Sequence, residues 1–292
     1  MILRNFLTCT LLLNAAFLFG QNTILWKVTK QGNKHVSYLL GTHHMFGESF
    51  VDSFPVIKKK LNASKLIITE TKIDRDKVAE YYNARQSSDS IMNILPKQDV
   101  VYINRVLNNV KIDVSKFTPG ELFLRLQMTF PKFKCAVMNA SDKFVLDEYL
   151  QYLGSQKKKK LYYLETDSFQ LDKIKEMTKG IDWAFFKKRV PSLLTRYRAT
   201  TTDESQCTLA NQYASFTVDY KLSDTCKTTG VNDLLITKRN NEWMQKLPGL
   251  LDQRNCFIAL GLAHFYNKCG IIERLREMGY HVEEVEMRSG KK

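Results

Sequence analysis

The chain has 292 residues, of which 44% are hydrophobic and 25% charged, with only 13 Gly and 6 Pro. These proportions exclude a disordered or collagen-like chain and leave room for one large α/β domain, or two small ones, with a substantial core. Lys and Arg number 44 against 30 Asp and Glu, and the resulting formal charge of +14 biases the surface towards anionic partners without naming one.

Residues 1–20 carry a single charge, Arg4, ahead of an uncharged stretch ending at Gly20 and followed by the polar Gln21-Asn22. This is the layout of a secretory signal peptide, with cleavage expected near Gly20-Gln21. A retained anchor is the alternative, although Phe6 to Gly20 is shorter than the roughly 20 apolar residues a spanning helix needs. No later segment is apolar for long enough to cross a bilayer, so residues 21–292 are expected as a single exported domain, periplasmic or extracellular. Cys9 leaves with the signal and five cysteines remain: Cys135, Cys207, Cys226, Cys256 and Cys269. An odd number leaves at least one thiol without a partner in its own chain. Cys207 and Cys226 bracket a polar stretch and form the candidate disulfide, while Cys256 opens an apolar run and reads as a buried small hydrophobe.

Along the chain, Thr23 to Val28 and His35 to Leu40 are strand-like runs separated by a turn containing Gly32-Asn33, which predicts an opening β-hairpin. Ser53-Phe54-Pro55 reads as the start of a helix with Val56, Ile57 and Leu61 on its apolar stripe. Lys65 to Thr69 is a short buried strand. Thr118-Pro119-Gly120-Glu121 has the spacing of a capping box ahead of LFLRLQM, and Asp142 to Leu153 carries a helical apolar stripe. Lys160 to Leu164 and Cys256 to Leu262 are further buried strands, Asn232 to Leu247 is rich in helix formers, Ile271 to Leu275 is a helix stopped at Gly279, and His281 to Val285 supplies a last strand. The lysine runs 58–60 and 157–160 read as a solvated helix face and a solvated loop. The expected fold is therefore α/β (α+β): a central mixed sheet with an opening hairpin, flanking helices and a largely helical middle.

What stands at the end of each apolar run is the informative feature. Ser37 to Leu40 leads into Gly41-Thr42-His43-His44, the next strand ends at Glu70, the third at Glu165, and the fourth leads into Gly261-Leu262-Ala263-His264. If these strands run parallel, their carboxyl ends open on one crevice. Glycine three residues before each histidine permits a sharp turn or a close approach to a bound group. Two imidazoles and a carboxylate make the open-sided ligand set of catalytic zinc, manganese, cobalt or iron, so His44, His264 and Glu70 are the candidate metal ligands. Such an ion would acidify its water and polarise a carbonyl, with Glu165 orienting a ligand or acting as general base. His43 is either a second ligand or, as strand alternation favours, a neighbour facing the other way. His35 and His281 read as structural or surface residues.

Competing signals are weak or missing. There is no His-Glu-x-x-His helix, Gly-x-Ser-x-Gly elbow, phosphate-binding glycine loop or Cys-x-x-Cys. Cys269 as a thiol nucleophile has no marked partner and reads as a packing residue. Basic residues do not interleave with aromatics along one face, so no nucleic-acid partner is expected.

With these pieces in order, the sequence resembles the TraB/GumN family, which includes the TIKI metalloproteases and is distantly similar to erythromycin esterase-like hydrolases. The resemblance rests on Leu25-Trp26-Lys27-Val28, Tyr38 to His44, Glu70, Asp147-x-x-Leu150, Leu164-Glu165-Thr166 with Gln170, Arg239-Asn240-x-x-Trp243, and Gly261 to His264 followed by Gly270 to Val282. It implies a metal-dependent hydrolase whose centre is His44, Glu70 and His264. In the TIKI branch the reaction is peptide-bond cleavage near the amino terminus of secreted proteins, supported by manganese or cobalt. Glu165 and Arg239 match family positions and join Glu70 as candidate catalytic residues without assigned roles. His43 stands where the family usually carries an apolar residue. The expected activity is an exported metallohydrolase acting on a peptide or protein. The alternatives are a binder that captures a peptide or anionic glycan in the same crevice, and an iron oxygenase using the same ligand set.

Overall fold

The structure, a computed structural model, describes residues 23–88, 90–108, 111–201, 204–226 and 233–288. The expected signal segment lies outside them. Six strands form one sheet: β1 (Leu25–Lys30), β2 (Ser37–Thr42), β3 (Leu66–Thr69), β4 (Lys160–Tyr163), β5 (Cys256–Gly261) and β6 (Tyr280–Glu284). Their order across the sheet is β4-β3-β5-β2-β1-β6.

The opening hairpin forms as the sequence predicts. β1 pairs antiparallel with β2, Gly32 takes φ +76°, and the Asn33 amide donates to the Lys30 carbonyl at 3.0 Å. Glycine is needed at that φ because a side chain there would crowd the backbone. β6 pairs antiparallel with the far side of β1, whereas β2, β5, β3 and β4 are mutually parallel. The sheet is therefore mixed, and its four parallel strands end on one edge. β5 is the innermost of these: Ile258 lies in register with Leu39 on one side and Ile68 on the other, all three wholly buried. Burial of each such side chain contributes about 1.5–3 kcal/mol.

Among the described residues the helices are α1 (Glu48–Ser53), α2 (Pro55–Ala63), α3 (Arg75–Asn83), α4 (Ser90–Ile94), α5 (Lys97–Val106), α6 (Pro119–Lys134), α7 (Leu146–Gln156), α8 (Asp167–Met177), α9 (Trp183–Arg198), α10 (Thr208–Ser215), α11 (Lys238–Met244), α12 (Leu247–Gln253) and α13 (Ile271–Glu277). None is long and apolar enough to cross a membrane. The capping box at α6 is present: Thr118 Oγ1 accepts from the Glu121 amide and the Glu121 carboxylate accepts from the Thr118 amide. Two starts differ from expectation. Phe54, not Ser53, precedes α2, because the Ser53 hydroxyl donates back to the Ser49 carbonyl inside α1. The helix expected from Asp142 begins at Leu146, because the Glu48 carboxylate accepts from the amides of Lys143 and Phe144 and Val145 bridges to Gly47.

Buried side chains form two clusters. One surrounds the sheet. The other is helical, made by α3–α6, α9 and the segment around Ile112, Val114 and Phe117. The expected Cys207–Cys226 disulfide is not formed. Cys135, at the end of α6, bonds Cys207, which immediately precedes α10, and Cys226 bonds Cys269, with Cα separations of 5.5 and 5.9 Å. Segment 220–226 runs along 267–269, with the Asn267 and Lys268 amides donating to the Tyr220 and Asp224 carbonyls, which carries Cys226 to Cys269 and away from Cys207. Cys269 is thus neither a nucleophile nor a free packing thiol. Cys256 is free and buried, as expected. The lysine runs are only partly solvated surface, since Lys60 lies over the Tyr38 ring and Lys159 donates to the carbonyls of Asn62 and Ser64.

Candidate active site

The strand order fixes the order of the chemistry. Because β5 is inserted between β3 and β2, the parallel edge presents Glu165, Glu70, His264 and His44 in that sequence across the sheet. Register keeps them level, with Thr42 paired to Gly261 and Thr69 paired to both Ala259 and Tyr163. Residues separated by up to 220 positions therefore meet at one edge.

Glu70 is the hinge of the cluster. Its Oε1 accepts the Gly261 amide at 2.7 Å and lies 3.8 Å from His264 Nε2, while its Oε2 accepts from Arg239 Nη2. Burial alone would raise this carboxyl, but His264, the Arg239 guanidinium, His44 and the Gly261 amide together hold it well below the usual carboxylate range. Gly261 is required by proximity, not by a turn: its φ is −50°, and a Cβ there would stand 3.0 Å from His44 Nε2 and 3.1 Å from Glu70 Oε1. Gly41, the other motif glycine, likewise makes room, in its case for Leu262 and Phe265.

The two histidines are held alike and exposed unequally. His44 Nδ1 bonds Asp147 Oδ2 at 2.7 Å, and the other Asp147 oxygen accepts from Thr42 Oγ1 at 2.7 Å. The Asp147 charge pushes the imidazole up to about 9 despite the opposing cost of burial. Its side chain is 48% exposed, which makes it the group of the cluster most open to solvent. His264 is 2% exposed; its Nδ1 bonds Asn240 Oδ1 at 2.7 Å and its Nε2 accepts from Arg239 Nη1 at 2.9 Å. Burial pushes it down to about 3, so it stays neutral at ordinary pH. Asn240 Oδ1 on Nδ1 leaves the neutral His264 with its lone pair on Nε2, the tautomer a metal-ligating histidine uses, and His44, held on Nδ1 by Asp147, presents the same atom once it gives up its second proton.

Arg239 and Glu165 form the back wall. Arg239 Nε and Nη2 both donate to the Glu165 carboxylate, which also accepts from Lys173 Nζ at 2.8 Å and from Trp243 Nε1 at 3.1 Å. These four donors hold Glu165 in place behind Arg239 and engage both of its oxygens. His43 faces the other way, against the rings of Phe46 and Tyr213, and burial pushes it down to about 4. His35 bonds Asn255, and His281 is exposed beside Glu283.

Four residues of this cluster were not assigned by sequence reasoning: Asp147, Lys173, Asn240 and Trp243. Asp147, Asn240 and Trp243 lie within the segments that carry the family resemblance but without a role; what unites all four is contact with strand-end residues, which spacing does not encode. Lys173, buried with its pKa lowered by burial, has no signal in the sequence.

The donor chemistry of His44, Glu70 and His264 fits a divalent cation, since both Nε2 atoms and a carboxylate face the same edge and each imidazole is held from behind. Two of those donors are engaged by Arg239 in this arrangement, and among the described residues no three imidazole, carboxylate or thiol groups are gathered closely enough to hold an ion.

Compared with known proteins, residues 24–284 match the model of the TraB/PrgY/gumN family. No curated protein and no solved structure matches the chain.

Proposed function

From the premise that the chain belongs to the TraB/PrgY/gumN family, we propose that it is an exported metal-dependent hydrolase that cleaves an acyl bond, foremost the peptide bond of a peptide or protein. The observation that carries this reading is the level alignment of Glu165, Glu70, His264 and His44 along one sheet edge, with both imidazoles presenting Nε2 towards Glu70. His44, Glu70 and His264 would hold manganese, cobalt or zinc, and such an ion supplies an acidified water and polarises a carbonyl. Asp147 and Asn240 fix the two imidazoles. Glu165, anchored by Lys173 and Trp243, seats the Arg239 guanidinium beside Glu70 and His264. His44, the exposed member, is the ligand that borders solvent and so the side from which a substrate would reach the ion. Two disulfides support export, since such bonds persist in oxidising compartments.

The test is incubation of residues 21–292 with a mixed peptide library, with and without manganese, cobalt or zinc, read by mass spectrometry. Cleavage abolished by chelator and by His264→Ala is expected. Stoichiometric peptide binding without turnover would replace the enzyme by a peptide-binding protein.

A further inference from the structure

The donor atoms assigned above to an ion already have a partner. One guanidinium occupies two of the three expected ligands: Arg239 Nη1 donates to His264 Nε2 at 2.9 Å, and Nη2 donates to Glu70 Oε2. It is held there from behind. Nε and Nη2 both reach Glu165, Nη1 also donates to the Leu235 carbonyl at 3.1 Å, and the Trp243 ring lies 4.5 Å from the guanidinium carbon. Glu165 is in turn braced by Lys173, whose side chain is 6% exposed, so Arg239 sits in a built seat and is not a surface side chain folded over.

Geometry makes this seat exclusive. A neutral imidazole whose Nδ1 bears the proton has one lone pair on Nε2, which accepts from Arg239 or coordinates an ion but cannot do both. The guanidinium is planar and rigid, and the same Nη2 serves Glu70 and Glu165, so it cannot release Glu70 and His264 without moving off its plane against Trp243. A divalent ion arriving beside Glu70 also meets an adjacent positive charge in a poorly solvated site, which opposes binding until that charge withdraws.

We propose that Arg239 is a built-in competitor for the divalent ion: its guanidinium holds the Glu70 and His264 donors in the ion-free protein and leaves both when an ion binds. This rests on the reading of His44, Glu70 and His264 as metal ligands. The consequence is a centre whose buried carboxylates stay paired without metal and whose affinity for the ion is set by the cost of displacing Arg239.

Calorimetric titration of ion-free protein with zinc compares the wild type, Arg239→Met and Lys173→Met. Lys173→Met removes the same charge next to Glu165 without touching Glu70 or His264. Arg239→Met is expected to bind one ion at least about tenfold more tightly than the wild type, and Lys173→Met to stay within about threefold of it. Equal tightening in both variants overturns the proposal in favour of a general charge effect. Equal affinity in the wild type and Arg239→Met overturns it while leaving the metal ligands in place. Absence of binding in every protein overturns it together with the metal reading. Should Arg239→Met fail to fold, a crystal structure of the wild type with zinc decides: an Arg239 nitrogen still within hydrogen-bond distance of His264 Nε2 beside the bound ion would refute the competition, and its departure supports it.

Discussion

Two arginine–carboxylate pairs in this protein look alike and sit in different surroundings. In the helical cluster, Glu121 accepts both oxygens' worth of bonds from Arg85, caps α6 through the Thr118 amide and lies beside Tyr82, with the Arg85 guanidinium stacked on that ring at 4.3 Å. At the sheet edge, Glu165 and Glu70 share Arg239, stacked on Trp243 at 4.5 Å. The bonds of the first pair stay within the helical layer, and none of its described partners is an imidazole. The second leads outward through His264 and Gly261 to the half-exposed His44. An arginine–carboxylate pair is thus not a functional signature by itself; what separates the two is the imidazoles that adjoin the second.

The sharpest break of this comparison is His264→Ala against Arg85→Ala. The former is expected to lower turnover by more than about a hundredfold and, since it leaves Asn240 and Arg239 each short of a buried partner, to cost about 2–4 kcal/mol of stability, and the latter to leave turnover intact while costing about 1–3 kcal/mol. Peptide hydrolysis and thermal denaturation on both variants check this, and a turnover loss in Arg85→Ala would erase the distinction between the regions.

Gly261→Ala comes next. The added methyl would stand between His44 Nε2 and Glu70 Oε1, so activity should fall about ten- to a hundredfold while the fold persists. Normal kinetics would show that the gap between those atoms is not where substrate or ion sits.

Glu165→Gln weakens the seat of Arg239 and leaves Lys173 short of a charged partner. We expect a destabilisation of about 2–4 kcal/mol, with a smaller fall in turnover than for Gly261→Ala. A melting curve and a rate assay on one sample separate the two effects.

The smallest effect concerns pH. His44 is raised in the folded protein to about 9 from an ordinary 6.5, so the stability it contributes in ion-free protein is fully present below about 6.5 and is lost as pH climbs through about 9. Asp147→Asn should flatten that decline, as measured by denaturant unfolding across the range; an unchanged slope would mean that Asp147 does not set the charge of His44.

Legibility in the sequence divides along the same boundary. The strands of the sheet, the hairpin turn at Gly32 and the helix start at Thr118 were readable because each rests on local chemistry: short apolar runs, a glycine at a turn, a threonine three residues before a glutamate. The strand-end residues were readable for the same reason, since the apolar run stops where the ionisable group begins. Partners brought by distant elements were not. Asp147 enters from the first turn of α7, Lys173 from α8 and Asn240 from α11, and nothing in their neighbours records which sheet edge they approach. The disulfide pairing failed likewise, because Cys207 and Cys226 are near in sequence while the helix ends and the 220–226 segment that carry them go to different neighbours. The helix expected at Asp142 started late because Glu48, almost a hundred residues earlier, claims the amides of Lys143 and Phe144.

The strand order has a further consequence for how the molecule is made. β5 lies between β2 and β3, and β6, at the carboxyl end, pairs with β1, where Glu284 stands opposite Trp26. An incomplete chain emerging from the ribosome therefore has β1–β2 and β3–β4 but not the strand that joins them, and such sequence-distant pairing is slow to form. A chain stopped before Cys256 should accordingly remain open to protease, whereas the complete one should resist it.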